Sequence, residues 1–272
     1  MLKRKHKKFG ARKKGWFAGS SATQIICISF VLVIAIGTLL LSLPIASKGA
    51  RLGVVDAMFT ATSATCVTGL IVRDTWTQFT VFGQAVILLL IQVGGLGLVT
   101  LTSFFALATR RRMGFRDLRL LGESVSADGY AQAKDVLKIV VGLAALFEGI
   151  GVLLLLFAFV PQYGLEGIWV SVFTAISAFC NAGFDLFGRF GQYSSLVPYV
   201  HNYYVQFVIM LLIITGGLGF MVWVEIGQYH KKHKLSLHAK VVLSFSVILW
   251  VGGAVLLGLM EWNNPASMGG LS

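Results

Sequence analysis

Long apolar stretches alternate with short polar or basic ones along the whole chain, on a scale much coarser than the period of an amphipathic helix or strand. Uncharged or nearly uncharged runs cover residues 23–47, 79–109, 139–160, 205–224 and 241–260. A helix needs about 20 apolar residues to cross a bilayer. Lipid offers no partner to backbone groups outside helices or closed barrels. The pattern therefore predicts five membrane-spanning helices in an all-α polytopic fold. The 79–109 run would extend ~46 Å as one helix against a hydrocarbon core of ~30 Å, so it must tilt, kink or project beyond the membrane.

Between these runs lie two segments of a different kind, Phe59 to Gly69 and Phe173 to Gly183, which match at seven of eleven positions. Each is rich in Ser, Thr and Ala and too short to span. Flanked by apolar runs, each reads as a re-entrant pore helix ending in a glycine loop. The following runs echo one another as well, Gly94-Gly95-Leu96-Gly97 against Gly216-Gly217-Leu218-Gly219. Such glycines permit close helix packing or mark a bend, and both can hold at once. The chain thus divides into a basic N-terminus (1–22), a helix–pore loop–helix repeat (23–109), a loop (110–134), a second repeat (135–228), a second loop (229–240) and the first helix of an incomplete third repeat (241–272).

Composition agrees, with 56% apolar and 12% charged residues and a mean hydropathy of +0.80, far from soluble domains. The net charge of +12 raises nucleic acid as a partner, but its placement argues against that. Lysines and arginines crowd residues 3–14, 110–138 and 231–240. By the positive-inside rule these segments are cytoplasmic, which puts the N-terminus inside and both pore loops outside the plasma membrane. The first apolar run, at ~25 residues, exceeds a signal-peptide core and reads as a retained helix. Cys27, Cys66 and Cys180 have neither disulfide-framework nor zinc-site spacing.

A cation sheds its water only where oxygen ligands replace it, and rings of backbone carbonyls do this. Aligning successive carbonyls requires backbone conformations that glycine adopts freely. The candidate ion filters are therefore Cys66, Val67, Thr68 and Gly69, and Cys180, Asn181, Ala182 and Gly183. Each pore helix would aim the negative end of its dipole at the ion. Asp56 and Glu166 stand where acids favour a helix N-terminus, and Asp74 and Asp185 follow the filters, where they could enrich cations unless Arg73 opposes them. Glu148 lies alone deep in an apolar run, either as an interhelical hydrogen-bonding group or as part of the ion pathway. Glu225 marks a helix end, and His230, His233 and His238 read as a solvated basic loop. Trp16, Phe17, Trp76 and Trp169 fit interfacial anchoring.

These residues resemble the Trk/Ktr/HKT superfamily of potassium transporters, and most nearly the membrane subunit of bacterial Ktr systems. The resemblance rests on Phe59 to Leu70 with its single glycine, Phe173 to Phe184, Gln92-Val93-Gly94-Gly95-Leu96-Gly97, and Glu261-Trp262-Asn263-Asn264-Pro265. It implies four pseudo-fourfold repeats around one pore, potassium-filter roles for Gly69 and Gly183, a homodimer, and a cytosolic ring of nucleotide-binding, RCK-type regulatory subunits. It implies no enzyme activity and no covalent cofactor, only transported potassium, with sodium dependence in many members. Two repeats and part of a third fit a fragment of a longer protein. The competing expectation is a non-conducting, truncated assembly or regulatory subunit.

Overall fold

The computed structural model describes residues 22–97, 130–262 and 264. The basic N-terminus, the arginines at 110–112 and Pro265 lie outside them. Among the described residues the chain forms helices and no strand: α1 (Ala22–Leu41), α2 (Val54–Thr65), α3 (Thr75–Gln78), α4 (Val81–Gly95), α5 (Tyr130–Tyr163), α6 (Glu166–Phe179), α7 (Tyr203–Gly217), α8 (Phe220–Lys232) and α9 (Leu237–Glu261). Several begin at side-chain caps, where an oxygen accepts from an otherwise orphaned amide. Asp74 accepts from Thr77 N, Thr80 from Gly83 N, Asn202 from Val205 N and Ser236 from Ala239 N. The protein is an all-α membrane protein.

The duplication is visible in the packing. In the first repeat α1 and α4 enclose the short helix α2, and in the second α5 and α7 enclose α6. The repeats meet where α4 touches α6 and where α3 touches the 3-10 turn Phe187–Arg189. A continuous core of Leu41, Ala61, Ile87, Ile91, Phe159 and Phe173, among others, runs through both.

Residues 138–163 of α5, and α9, are long and apolar enough to cross a membrane by length and composition. The 205–224 run is not one straight helix, because Tyr203–Gly217 and Val222–Tyr229 are bent against each other by 97° across a short break. The cause is Gly219, whose φ of +82° an L side chain resists. Breaking a helix orphans carbonyls of its last turn, and the Trp223 indole N–H donates to the Thr215 carbonyl across this break at 2.8 Å. The 79–109 run behaves similarly as far as it is described: α4 ends at Gly95, and Gly97 has a φ of +74°.

Candidate functional site

Both short helices end in the same turn. After α2, Cys66 N donates to Thr62 O (2.8 Å), Val67 N to Ala64 O (3.3 Å) and Thr68 N to Ser63 O (2.8 Å). After α6, Cys180 N donates to Ile176 O (2.9 Å), Asn181 N to Ala178 O (3.0 Å) and Ala182 N to Ser177 O (2.8 Å). This is the Schellman arrangement, which needs a left-handed residue at its fifth position. Val67 (φ +55°) and Asn181 (φ +58°) fill it, and Gly69 (+81°) and Gly183 (+73°) repeat a positive φ two residues on. Asparagine tolerates that region, whereas a β-branched valine there is a steric outlier.

The two glycine turns face one another. A Cβ on Gly69 would stand 2.8 Å from the Ala182 carbonyl oxygen, and one on Gly183 would stand 3.2 Å from the Gly69 Cα. Of the eight residues picked out from the sequence, Cys180 and Ala182 are buried, Val67 and Gly69 half-buried, and Cys66, Thr68, Asn181 and Gly183 exposed. The fastening behind the turns is unequal. Ser177 Oγ donates to Phe184 O at 2.5 Å, while its counterpart Ser63 Oγ is buried without a hydrogen-bond partner.

The second glycine echo explains the depth of packing at these helix ends. A Cβ on Gly94 would overlap the Thr65 carbonyl, and one on Gly216 the Phe179 carbonyl, the equivalent atom of the other repeat. A Cβ on Gly95 would overlap Cys180 Sγ. The first glycines of each motif thus let α4 and α7 touch the ends of α2 and α6, and the last, Gly97 and Gly219, take positive φ.

Glu148 is drawn into this region. It is 8% exposed, and Gln92 Nε2 donates to its Oε1 at 2.9 Å and Oε2 at 3.1 Å. Cys180 Sγ lies 3.9 Å from Oε1. Gln92 was named in the sequence only as the start of the Gln92–Gly97 motif, with no role of its own, although a glutamine one turn ahead of a glycine break in an apolar run is a recoverable signal. Gln84 was missed in the same way: fully buried, it accepts from Trp169 Nε1 at 2.7 Å and donates to Phe79 O at 3.0 Å. Trp169 therefore ties α6 to α4, a more specific role than an interfacial anchor.

At the far ends of α2 and α6 the acids are paired. Arg73 Nε meets Asp56 Oδ2 at 3.0 Å, and Arg189 Nη2 meets Glu166 Oε2 at 2.5 Å. Trp76 meets two cations, Lys48 Nζ 4.2 Å and the Arg189 guanidinium 4.3 Å from its ring centroid. Burial in that stack pushes the Lys48 ammonium below its ordinary pKa. Asp74 is buried, capping α3 and accepting from Tyr193 N at 3.1 Å, so it joins the loops of the two repeats. Asp185 accepts from Phe187 N at 2.9 Å; burial raises its carboxyl pKa, and nearby Asp74 adds to the rise. Glu225 accepts from Ser236 N and Oγ and closes the α8–α9 corner. His233 stacks edge-on against Tyr229, and among the described residues no three His, Cys, Asp or Glu side chains group as metal ligands.

Duplicated short helices that end in matching glycine turns, inside a set of apolar helices, define a membrane protein built from repeats. The chain belongs to the TrkH family of cation transport proteins, whose family model matches residues 3–263; this is a transporter family, not an enzyme family. It is 38% identical over 245 residues to the potassium/sodium uptake protein NtpJ of Enterococcus hirae, covering 89% of this chain and 53% of that protein. It is 39% identical over 249 residues to the Ktr system potassium uptake protein B of Bacillus subtilis (91% and 55%), and 36% over 252 residues to that of Vibrio alginolyticus (92% and 54%). The chain spans about half the length of these curated relatives.

Proposed function

We propose that this chain supplies part of the pore of a potassium uptake system of the plasma membrane, in which potassium passes between the backbone carbonyls of residues 66–69 and 180–183. The observation that carries the reading is the identity of the two turns: the same hydrogen-bond register and the same alternation of positive φ at Val67 and Gly69 and at Asn181 and Gly183. A positive φ at every second residue re-aims the carbonyls of each turn, and backbone carbonyls are the ligands that replace an ion's hydration shell in a filter. Each preceding helix adds roughly half a negative charge at its C-terminus. With the basic segments cytoplasmic by the positive-inside rule, the glycine turns open outward.

Further elements of the reading follow the relatives. The relatives named as Ktr system proteins support a membrane subunit that works with a separate cytosolic one; the homodimer and the ring of nucleotide-binding regulatory subunits on the basic side are what the family resemblance implies. The relative named for potassium and sodium supports sodium as a coupled or co-transported ion. The test is Gly69→Asp in the complete protein as its cell makes it, expressed in a bacterium that lacks potassium uptake. The expected result is lost growth at limiting potassium with normal membrane abundance. Unchanged uptake and selectivity would refute the filter assignment and favour a non-conducting assembly subunit.

A further inference from the structure

Glu148 is a buried acid that ion passage between the turns does not by itself require. The ion pairs among the described residues are Arg73–Asp56 and Arg189–Glu166, so the Glu148 carboxylate is met by a carboxamide and a thiol instead of a cation. A carboxyl group inside an apolar helix is costly to insert, and this one is placed where three elements of two repeats converge. Gln92 stands on α4, one turn before Gly95 and the positive-φ Gly97. Cys180 is the first residue of the second turn and the C-cap of α6. Gly95 leaves room for the Cys180 sulfur, since a Cβ there would overlap it. Both oxygens of one carboxylate therefore fix the end of α4 while its edge rests against the start of the second turn. The opposite end of that turn is held by Ser177.

We propose that Glu148 is a positioning residue, resting on the pore reading above: through Gln92 and Cys180 it locks the broken end of α4 to the second filter turn, so that ion preference depends on a contact between repeats. In the first turn Ser63 Oγ, the counterpart of Ser177 Oγ, lacks a hydrogen-bond partner, and Gly94 packs the α4 end against the Thr65 carbonyl. Through Gln92 and Cys180 a movement of the α4 end also reaches residues 180–183.

The experiment is a polarity swap in the complete protein, read as potassium over sodium preference in uptake-deficient cells with membrane abundance measured alongside. Gln92→Glu sets two carboxylates 3 Å apart in a low-dielectric site, where like charges repel strongly, and is expected to lower the preference roughly tenfold, the scale of coupling between contacting residues. Gln92→Glu with Glu148→Gln restores a donor facing an acceptor and is expected to recover the preference to within about twofold. A swap that restores abundance without restoring preference overturns the proposal. If Gln92→Glu does not reach the membrane, Glu148→Asp decides: the shorter acid withdraws from both partners, so unaltered preference overturns the proposal and a lowered one supports it. Gly183→Asp separates the two levels. If it leaves uptake unchanged, the pore reading fails and this proposal with it; if it abolishes uptake while the swap restores nothing, the positioning role alone fails.

Discussion

Replacing Gly69 and Gly183 by alanine, one at a time, should give unequal losses. Both have φ in the left-handed region, +81° and +73°, so each alanine incurs about 1–2 kcal/mol of backbone strain. The surroundings then separate them. At Gly69 the new methyl would stand 2.8 Å from the Ala182 carbonyl oxygen, a backbone atom that no rotamer change can move. Reaching ordinary contact requires that carbonyl to retreat by roughly 0.5 Å. At Gly183 the methyl would meet the Gly69 Cα at 3.2 Å and its oxygen at 3.9 Å, which a shift of a few tenths of an ångström relieves. Gly69→Ala should therefore lower potassium preference by at least ~1.4 kcal/mol, about tenfold, and Gly183→Ala by only a few-fold. The assay is rubidium uptake competed by sodium in cells matched for membrane abundance. Equal losses, or a larger loss at Gly183, would refute the argument that contact between the turns sets the ion geometry.

Val67→Asn should raise the thermal stability of the detergent-solubilised protein by ~1 kcal/mol, because asparagine occupies left-handed φ more readily than a β-branched residue; an unchanged or lower melting temperature would show that the Val67 side chain is needed for packing. Trp169→Phe keeps the ring but removes the N–H that satisfies Gln84, and leaving a buried amide oxygen unpaired should cost about 1–3 kcal/mol, read as a lower unfolding midpoint. Burial holds the Asp185 carboxyl pKa above its ordinary value, so the folded state binds that proton more tightly than the unfolded one. Its contribution is then most favourable below the unfolded pKa and declines as pH rises through the raised folded value. Asp185→Asn, which keeps an oxygen to accept from Phe187 N, should flatten that decline as pH rises above the ordinary carboxylate range, and a melting-temperature profile parallel to the parent's would contradict it.

The repeats, the short helices and their glycine turns were legible because each rests on local chemistry: a small-residue segment between apolar runs, ending at a residue that needs positive φ. The bend between α7 and α8 was half legible, since a glycine motif permits both packing and breaking, and Gly216 and Gly219 turn out to do one each. The unread part lies in pairings across the repeats. Nothing in the sequence aligns Gln92 with Glu148, 56 positions away, or Trp169 with Gln84, 85 away. Asp74, read as able to enrich cations, is taken up by a helix cap and a neighbouring loop, and Asp56 and Glu166, read as acids at helix N-termini, stand there and also pair with Arg73 and Arg189. Charge at a helix end is visible in a sequence, but its partner depends on how two loops fold back on each other.

The bend at Gly219 also gives α8 the mechanics of a lever. Its 13 residues make an arm of roughly 20 Å. Phe220, beside the fulcrum, packs against Phe179, and Trp223 against Phe147, next to Glu148. A rotation of 10° about the glycine would sweep the Lys232 end through roughly 3 Å while moving Phe220 by only a few tenths of an ångström. A coarse displacement at the far end of α8 would thereby arrive at Phe179, beside the second glycine turn, as a fine one, and the Glu225–Ser236 clasp ties α8 to the start of α9.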